Sequence, residues 1–226
     1  MPVGKASLSF SAENPATDYA SSAKPGLNEL VSRYNPRPDL TVKYETEQKW
    51  GHAQLSAVSR KLGYDDGAGH RSTANGAGLT LGATINLPRH DTIGFNAWTG
   101  DGIMKYSPDE FGPVSSAQIA NIGTAQQRIV PSLQHGIVLF GGHHFSNQLR
   151  SNLGFGFNNQ AWQSFIPADA SEPVRTRTVH ANVIYSPVRQ TDLGVEHIHG
   201  VKAFRSELKL PDTPATRYEF AAKYRF

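Results

Sequence analysis

Cysteine is absent from all 226 residues, which excludes disulfides, thiolate metal centres and cysteine nucleophiles. Long apolar runs are absent too: no stretch reaches the ~18 consecutive apolar residues that mark a membrane-crossing helix. Mean hydropathy is −0.44. Neither fact excludes a membrane barrel, because a transmembrane strand hides its apolar residues in alternation. Charge of one sign is scarce as well. The 22 Lys and Arg against 19 Asp and Glu give a formal charge of +3 with no basic block, too thin a patch for nucleic-acid binding. Met1-Pro2-Val3-Gly4-Lys5 lacks the apolar core and cleavage motif of a signal peptide. The expectation is a mature or N-terminally truncated piece of an exported protein, forming one domain over 1–226.

What the chain has is alternation. With 21 Gly, 14 Pro, 11 Phe and 8 Tyr it favours strands and turns over helices. Tyr218, Phe220, Ala222, Tyr224 and Phe226 share one face of an extended segment, and Arg217, Glu219, Lys223 and Arg225 share the other. Residues 5–13, 39–48, 52–61, 78–87, 92–100, 149–158, 177–186 and 191–201 repeat the pattern. Residues 133–145 are apolar almost throughout and leave the phase open, and Val58 breaks it in 52–61. With 216–226, ten strands are predicted.

The links between them sort by length. Those at 49–51, 88–91, 146–148 and 187–190 are short, whereas those at 14–38, 62–77, 101–132, 159–176 and 202–215 are long. Short and long alternate, so every tight turn falls at one end of the strands and every long loop at the other. That is the layout of an antiparallel, up-and-down transmembrane β-barrel, with periplasmic turns and extracellular loops.

The ending Tyr218-x-Phe220-x-Ala222-x-Tyr224-x-Phe226 resembles the terminal signature of bacterial outer-membrane proteins, which the barrel-assembly machinery reads. Leu8-Ser9-Phe10-Ser11-Ala12-Glu13-Asn14-Pro15, Val183-Ile184-Tyr185-Ser186-Pro187-Val188 and Asp192-Leu193-Gly194-Val195-Glu196-His197-Ile198-His199-Gly200 resemble porins of the DcaP-like family. The resemblance runs over nearly the whole chain and implies the C-terminal part of a homotrimeric channel for dicarboxylic and aromatic acids. It also implies a Gram-negative outer membrane, contact with its lipid and lipopolysaccharide, and no cofactor.

Arg or Lys on a lipid face costs about 2–4 kcal/mol near the midplane, so the charged sides of these strands should face a watery lumen. Lys43, Arg60, Arg150, Arg217, Lys223 and Arg225 are the basic candidates for the solute path, against Glu45, Glu47, Glu196 and Glu219. A positive excess would concentrate anions; the alternative is that these charges pair with one another and only keep the lumen wet. The long 101–132 loop carries Tyr106, Asp109, Glu110 and Arg128, and either folds inward as a constriction or extends outward. Trp50, Trp98, Trp162, Tyr185 and Tyr224 are candidates for interfacial girdles.

Two rival readings are a non-channel structural or binding barrel and an enzyme. His144-x-Ser146 with Asn158 is similar to the His, Ser and Asn of outer-membrane phospholipases, in which Ser attacks, His takes its proton and Asn orients the ring. Position counts against it, since His144 and Ser146 adjoin a short turn while lipid hydrolysis requires an outward site near the outer leaflet. No metal site is expected: His143 and His144 point to opposite faces, and His197 and His199 share a face without a third ligand.

Overall fold

The computed structural model describes residues 5–15, 19–20, 32–65, 67, 69–107, 115–121, 124–165 and 173–225. In chain order the strands begin β1 (Lys5–Glu13), β2 (Tyr19–Ala20), β3 (Ser32–Arg33), β4 (Asp39–Gln48), β5 (Gly51–Asp65), β6 (Arg71–Asn86) and β7 (Thr92–Asp101). They continue with β8 (Ala117–Ala120), β9 (Arg128–Pro131), β10 (Leu133–His144), β11 (Leu149–Ala161), β12 (Arg175–Val188), β13 (Thr191–Ala203) and β14 (Thr213–Tyr224). All ten predicted strands are present. They form one antiparallel meander in the order β1-β4-β5-β6-β7-β10-β11-β12-β13-β14, with β3 added to the end of β5. The strands β2, β8 and β9 make a separate small sheet from the two longest links, which alternation did not reveal. Among the described residues β1 and β14 do not pair with each other, so the meander is an open sheet.

Register keeps the two kinds of side chain apart. One row runs Leu8, Tyr44, Leu55, Leu81, Ala97, Ile137 and Phe157, each directly opposite the next across seven strands. A neighbouring row runs Phe95, Leu139, Phe155 and Val179. Their pairing places the odd residues of β10 on the apolar face and settles the phase that 133–145 left open. These rows are not a core. Phe10 is 75% exposed, Phe220 82%, Leu153 61% and Leu79 54%.

The buried side chains are largely polar: Asp39, Arg60, Gln134, Asn158, Gln160 and Thr176 all lie on the opposite face. A water-soluble sandwich would bury the apolar rows. This protein exposes them and sets Asp39, Lys43, Arg60, Arg150 and Arg217 on the opposite face, the arrangement that a hydrocarbon solvent outside and water inside require.

Three links differ from expectation. The stretch 62–77, read as a long loop, is mostly strand, because β5 runs to Asp65 and β6 starts at Arg71. Alternation failed there because Leu62 and Tyr64 are apolar on the polar face, where they pack with Ala117, Ile119 and Ile129. The links at 162–174 and 204–212 are likewise shorter than read. At the short-link end, Gly51 has φ +143° and a Cβ there would lie 1.9 Å from the Thr84 carbonyl oxygen, so only glycine fits. Two of the girdle candidates face elsewhere. Trp98 is buried on the polar face against Gly136, and Trp162 packs on Ala120 and Val130.

Candidate functional site

The described parts of the 102–132 link, residues 102–107, 115–121 and 124–132, fold back over the polar face of β5, β6, β10 and β11. Apolar contacts seat its β8–β9 hairpin: Ile119 and Ile129 pack on Leu62 and Tyr64, and the Ile129 amide donates to Ser72 Oγ at 3.2 Å. Amides anchor the hairpin's base. Gln134 and Gln160 Nε2 donate to the Ser115 carbonyl at 3.2 and 2.8 Å and to Ser132 Oγ at 3.1 and 2.9 Å.

A third tether starts from a buried ion pair between β4 and β5. Arg60 is wholly buried; its Nε donates to Asp39 Oδ2 at 3.0 Å, and its Nη1 donates to the Gly102 carbonyl at 2.5 Å and to Ser116 Oγ at 3.3 Å. Lys105 and Tyr106 of the same link reach the same Asp39 oxygen. Tyr106 OH donates to Asp39 Oδ2 at 3.0 Å and to Glu13 Oε2 at 3.2 Å, and Lys105 Nζ donates to the Asn14 carbonyl at 2.7 Å. Burial, the hydrogen bond to Asp39 and the negative charge of Asp39 and Glu13 push the Tyr106 phenol well above its ordinary value. It stays a neutral donor.

Of the four constriction candidates, Tyr106 is thus folded onto the polar face. Arg128 is exposed, with its guanidinium 5.1 Å from the Phe165 ring, and Asp109 and Glu110 lie outside the described residues. Arg60 does not present itself to solvent as a pore-lining cation. It is consumed in holding the link. Asp39, Gln134 and Gln160 were not singled out from sequence. Asp39 shares its parity with Lys43 and Glu45, so period two places it on the polar face; Gln134 was hidden by the ambiguous phase of its strand.

The other basic candidates stand on the polar face in carboxylate company. Lys43 pairs with Glu45 at 2.7 Å and Arg217 with Glu219 at 2.7 Å. Arg150 and Arg225 both reach Asp192, the first at 3.3 Å, and Ser186 Oγ donates to the same carboxylate at 2.6 Å. Lys223 lies opposite Asp192 in register. Below Tyr106 is a cleft of about 330 Å³ whose walls include hydroxyls of Ser9, Ser11, Thr41, Ser56 and Thr80 beside Lys43. Of the terminal signature, Tyr218, Phe220 and Tyr224 are exposed on the apolar face, and Phe226 lies outside the described residues.

The rival triad is not assembled. Asn158 pairs opposite Gly136 and His144 opposite Arg150, so eight residues of β10, roughly 26 Å at ~3.3 Å per residue, separate them. Ser146 Oγ accepts from the Gln148 and Leu149 amides at 3.2 and 3.1 Å and closes its turn. His144 belongs to a different contact: its amide donates to Asp91 Oδ1 at 2.8 Å, and His143 Nδ1 lies 2.7 Å from Asp91 Oδ2. Asp91 thereby ties two short links together and steadies one in which Arg89 and His90 both hold left-handed φ, 64° and 65°.

The His144 amide first, and the His143 ring second, hold the Asp91 carboxyl below its ordinary value of 3.8. A pKa depressed on folding stabilises above the unfolded value and stops doing so as pH falls through the folded one. The melting temperatures of the wild type and of Asp91→Ala are therefore expected to differ near neutral pH and to converge below the usual carboxylate range. Curves separated by the same interval at every pH would contradict this.

Against solved structures, the fold matches the outer-membrane channel DcaP of Acinetobacter baumannii with a TM-score of 0.77 over 100% of this chain, at 20% identity. The chain has the fold of an outer-membrane channel. It spans 60% of the length of that protein. No family model matches the sequence, and no curated protein matches it.

Proposed function

We propose that this chain forms the wall of an outer-membrane porin that lets small polar, preferentially anionic solutes such as carboxylates diffuse passively. One observation carries the reading: the sheet is inside out, with apolar rows exposed across ten strands and charges on the face over which the 102–132 link folds. That link narrows the passage. Lys43, Arg150, Arg217, Lys223 and Arg225 line it, and although most are paired, a guanidinium held by one carboxylate keeps donors for a second. In the cleft that Lys43, Glu13 and Tyr106 also line, the Ser and Thr hydroxyls give a partly desolvated solute neutral hydrogen-bond partners on the way. Export to the outer membrane, recognition of Tyr218, Phe220 and Tyr224 by the assembly machinery, and trimerisation belong to the same proposal.

Planar-bilayer recording under a salt gradient tests it. Discrete conductance steps with a reversal potential displaced toward the anion are expected. Silent bilayers after confirmed insertion would remove the channel, and a displacement toward the cation would remove its anion preference.

A further inference from the structure

We propose that Arg175 and Arg177 form a site on the apolar face for the phosphate groups of a phosphorylated glycolipid in the outer leaflet. The inference rests on the channel reading for the apolar face meeting lipid and for the long links lying outside the cell. Burial alternates along the start of β12: Arg175 and Arg177 are exposed, and Thr176 and Thr178 are buried. Both arginines therefore point to the side of Val179 and Val183, away from the lumen.

Their surroundings are apolar in one direction and polar in the other. Arg177 stands directly opposite Phe157 on β11 and Val201 on β13, so it continues the row that runs from Leu8 to Phe157 and brings a cation into it. One step toward the long links, Arg175 lies in a row with Asn159 and His135. The pair thus marks the upper margin of the belt over β10 to β13.

Six arginines of this protein have a carboxylate among the described residues. Arg60, Arg71, Arg150, Arg205, Arg217 and Arg225 each pair with an Asp or Glu. Arg175 and Arg177 make no ion pair among the described residues. A guanidinium on a hydrocarbon-facing strand must lift its head to the interface, and there it needs an anion that none of the described residues supplies. Phosphate fits: the guanidinium fork binds it bidentately, and two forks at i and i+2, about 6.6 Å apart along the strand, can hold two phosphates or clamp one. The glycolipid's acyl chains would then lie along Phe155, Val179 and Leu153 beneath.

Native mass spectrometry of the detergent-purified protein, incubated with bisphosphorylated lipid A or its dephosphorylated form, tests the site. Wild type is expected to retain the phosphorylated lipid, and R175S/R177S to retain about tenfold less, as the loss of charge-assisted contacts implies. R175K/R177K should recover part of the binding, and Arg89→Ser at the short-link end should change nothing. Equal retention of both lipid forms, or undiminished retention by the double serine variant, would overturn the proposal while leaving the channel intact. A variant that shifts oligomeric state but not lipid retention would reassign the patch to a contact between copies and overturn it also. Failure to retain either lipid together with absent conductance would instead bring down the membrane reading beneath it.

Discussion

Replacing Arg60 with methionine is expected to destabilise the protein by about 3–5 kcal/mol, because it leaves the Asp39 carboxylate buried without its main partner, and to raise single-channel conductance. The two effects share a cause. Arg60 joins the sheet, through Asp39 on β4, to the Gly102 carbonyl and Ser116 hydroxyl of the folded link. Methionine fills similar space but makes none of these bonds. Asp39 keeps Tyr106 at 3.0 Å and Lys105 at 3.4 Å, so it is not stranded completely. Pairing Arg60→Met with Asp39→Leu is the decisive comparison: removing both charges should cost clearly less than the sum of the single changes. Denaturant titration gives the stabilities, and planar-bilayer recording the conductance. Strict additivity with unaltered conductance would mean that the pair neither couples nor holds the link.

The second large effect concerns which face meets hydrocarbon. Leu81→Arg is expected to weaken folding into lipid vesicles by about 2–4 kcal/mol, the cost of a cation on the lipid face near the midplane. Thr80→Arg, its neighbour on the polar face, should be tolerated and should alter ion selectivity. Leu81 is 48% exposed in a row of apolar partners, and Thr80 lines the cleft beneath Tyr106. Chemical-denaturant titration of vesicle-inserted protein measures the first effect, and reversal potential the second. If Thr80→Arg proved the more damaging to folding, the faces would be assigned the wrong way round.

Legibility followed a simple rule. Wherever apolar side chains were needed on one side only, as in Leu79, Leu81, Ala83 and Ile85, period two located both the strand and its orientation. It failed where the protein packs against itself on the polar side. Leu62 and Tyr64 look like a broken pattern until the hairpin of Ile119 and Ile129 is seen above them, and Val138 and Phe140 blurred β10 by adding apolar groups to the lumenal face. Charges were read correctly as to side and incompletely as to role. Arg60 shares its face with Arg150 and Arg217, yet nothing local distinguishes a buried tether from a cation that lines the passage.

The sequence by itself determined the ten strands of the meander, their antiparallel order, the sorting of links by end and, except in β10, the polarity of each face, because these depend on neighbours at i and i+2 and on chain length between strands. Only the tertiary structure decided that residues 102–107, 115–121 and 124–132 return over the sheet, that Asp39, Arg60, Lys105 and Tyr106 meet, and that Arg177 enters an apolar row. Those contacts join residues many positions apart, through a fold-back whose geometry is set by packing rather than by any periodic signal.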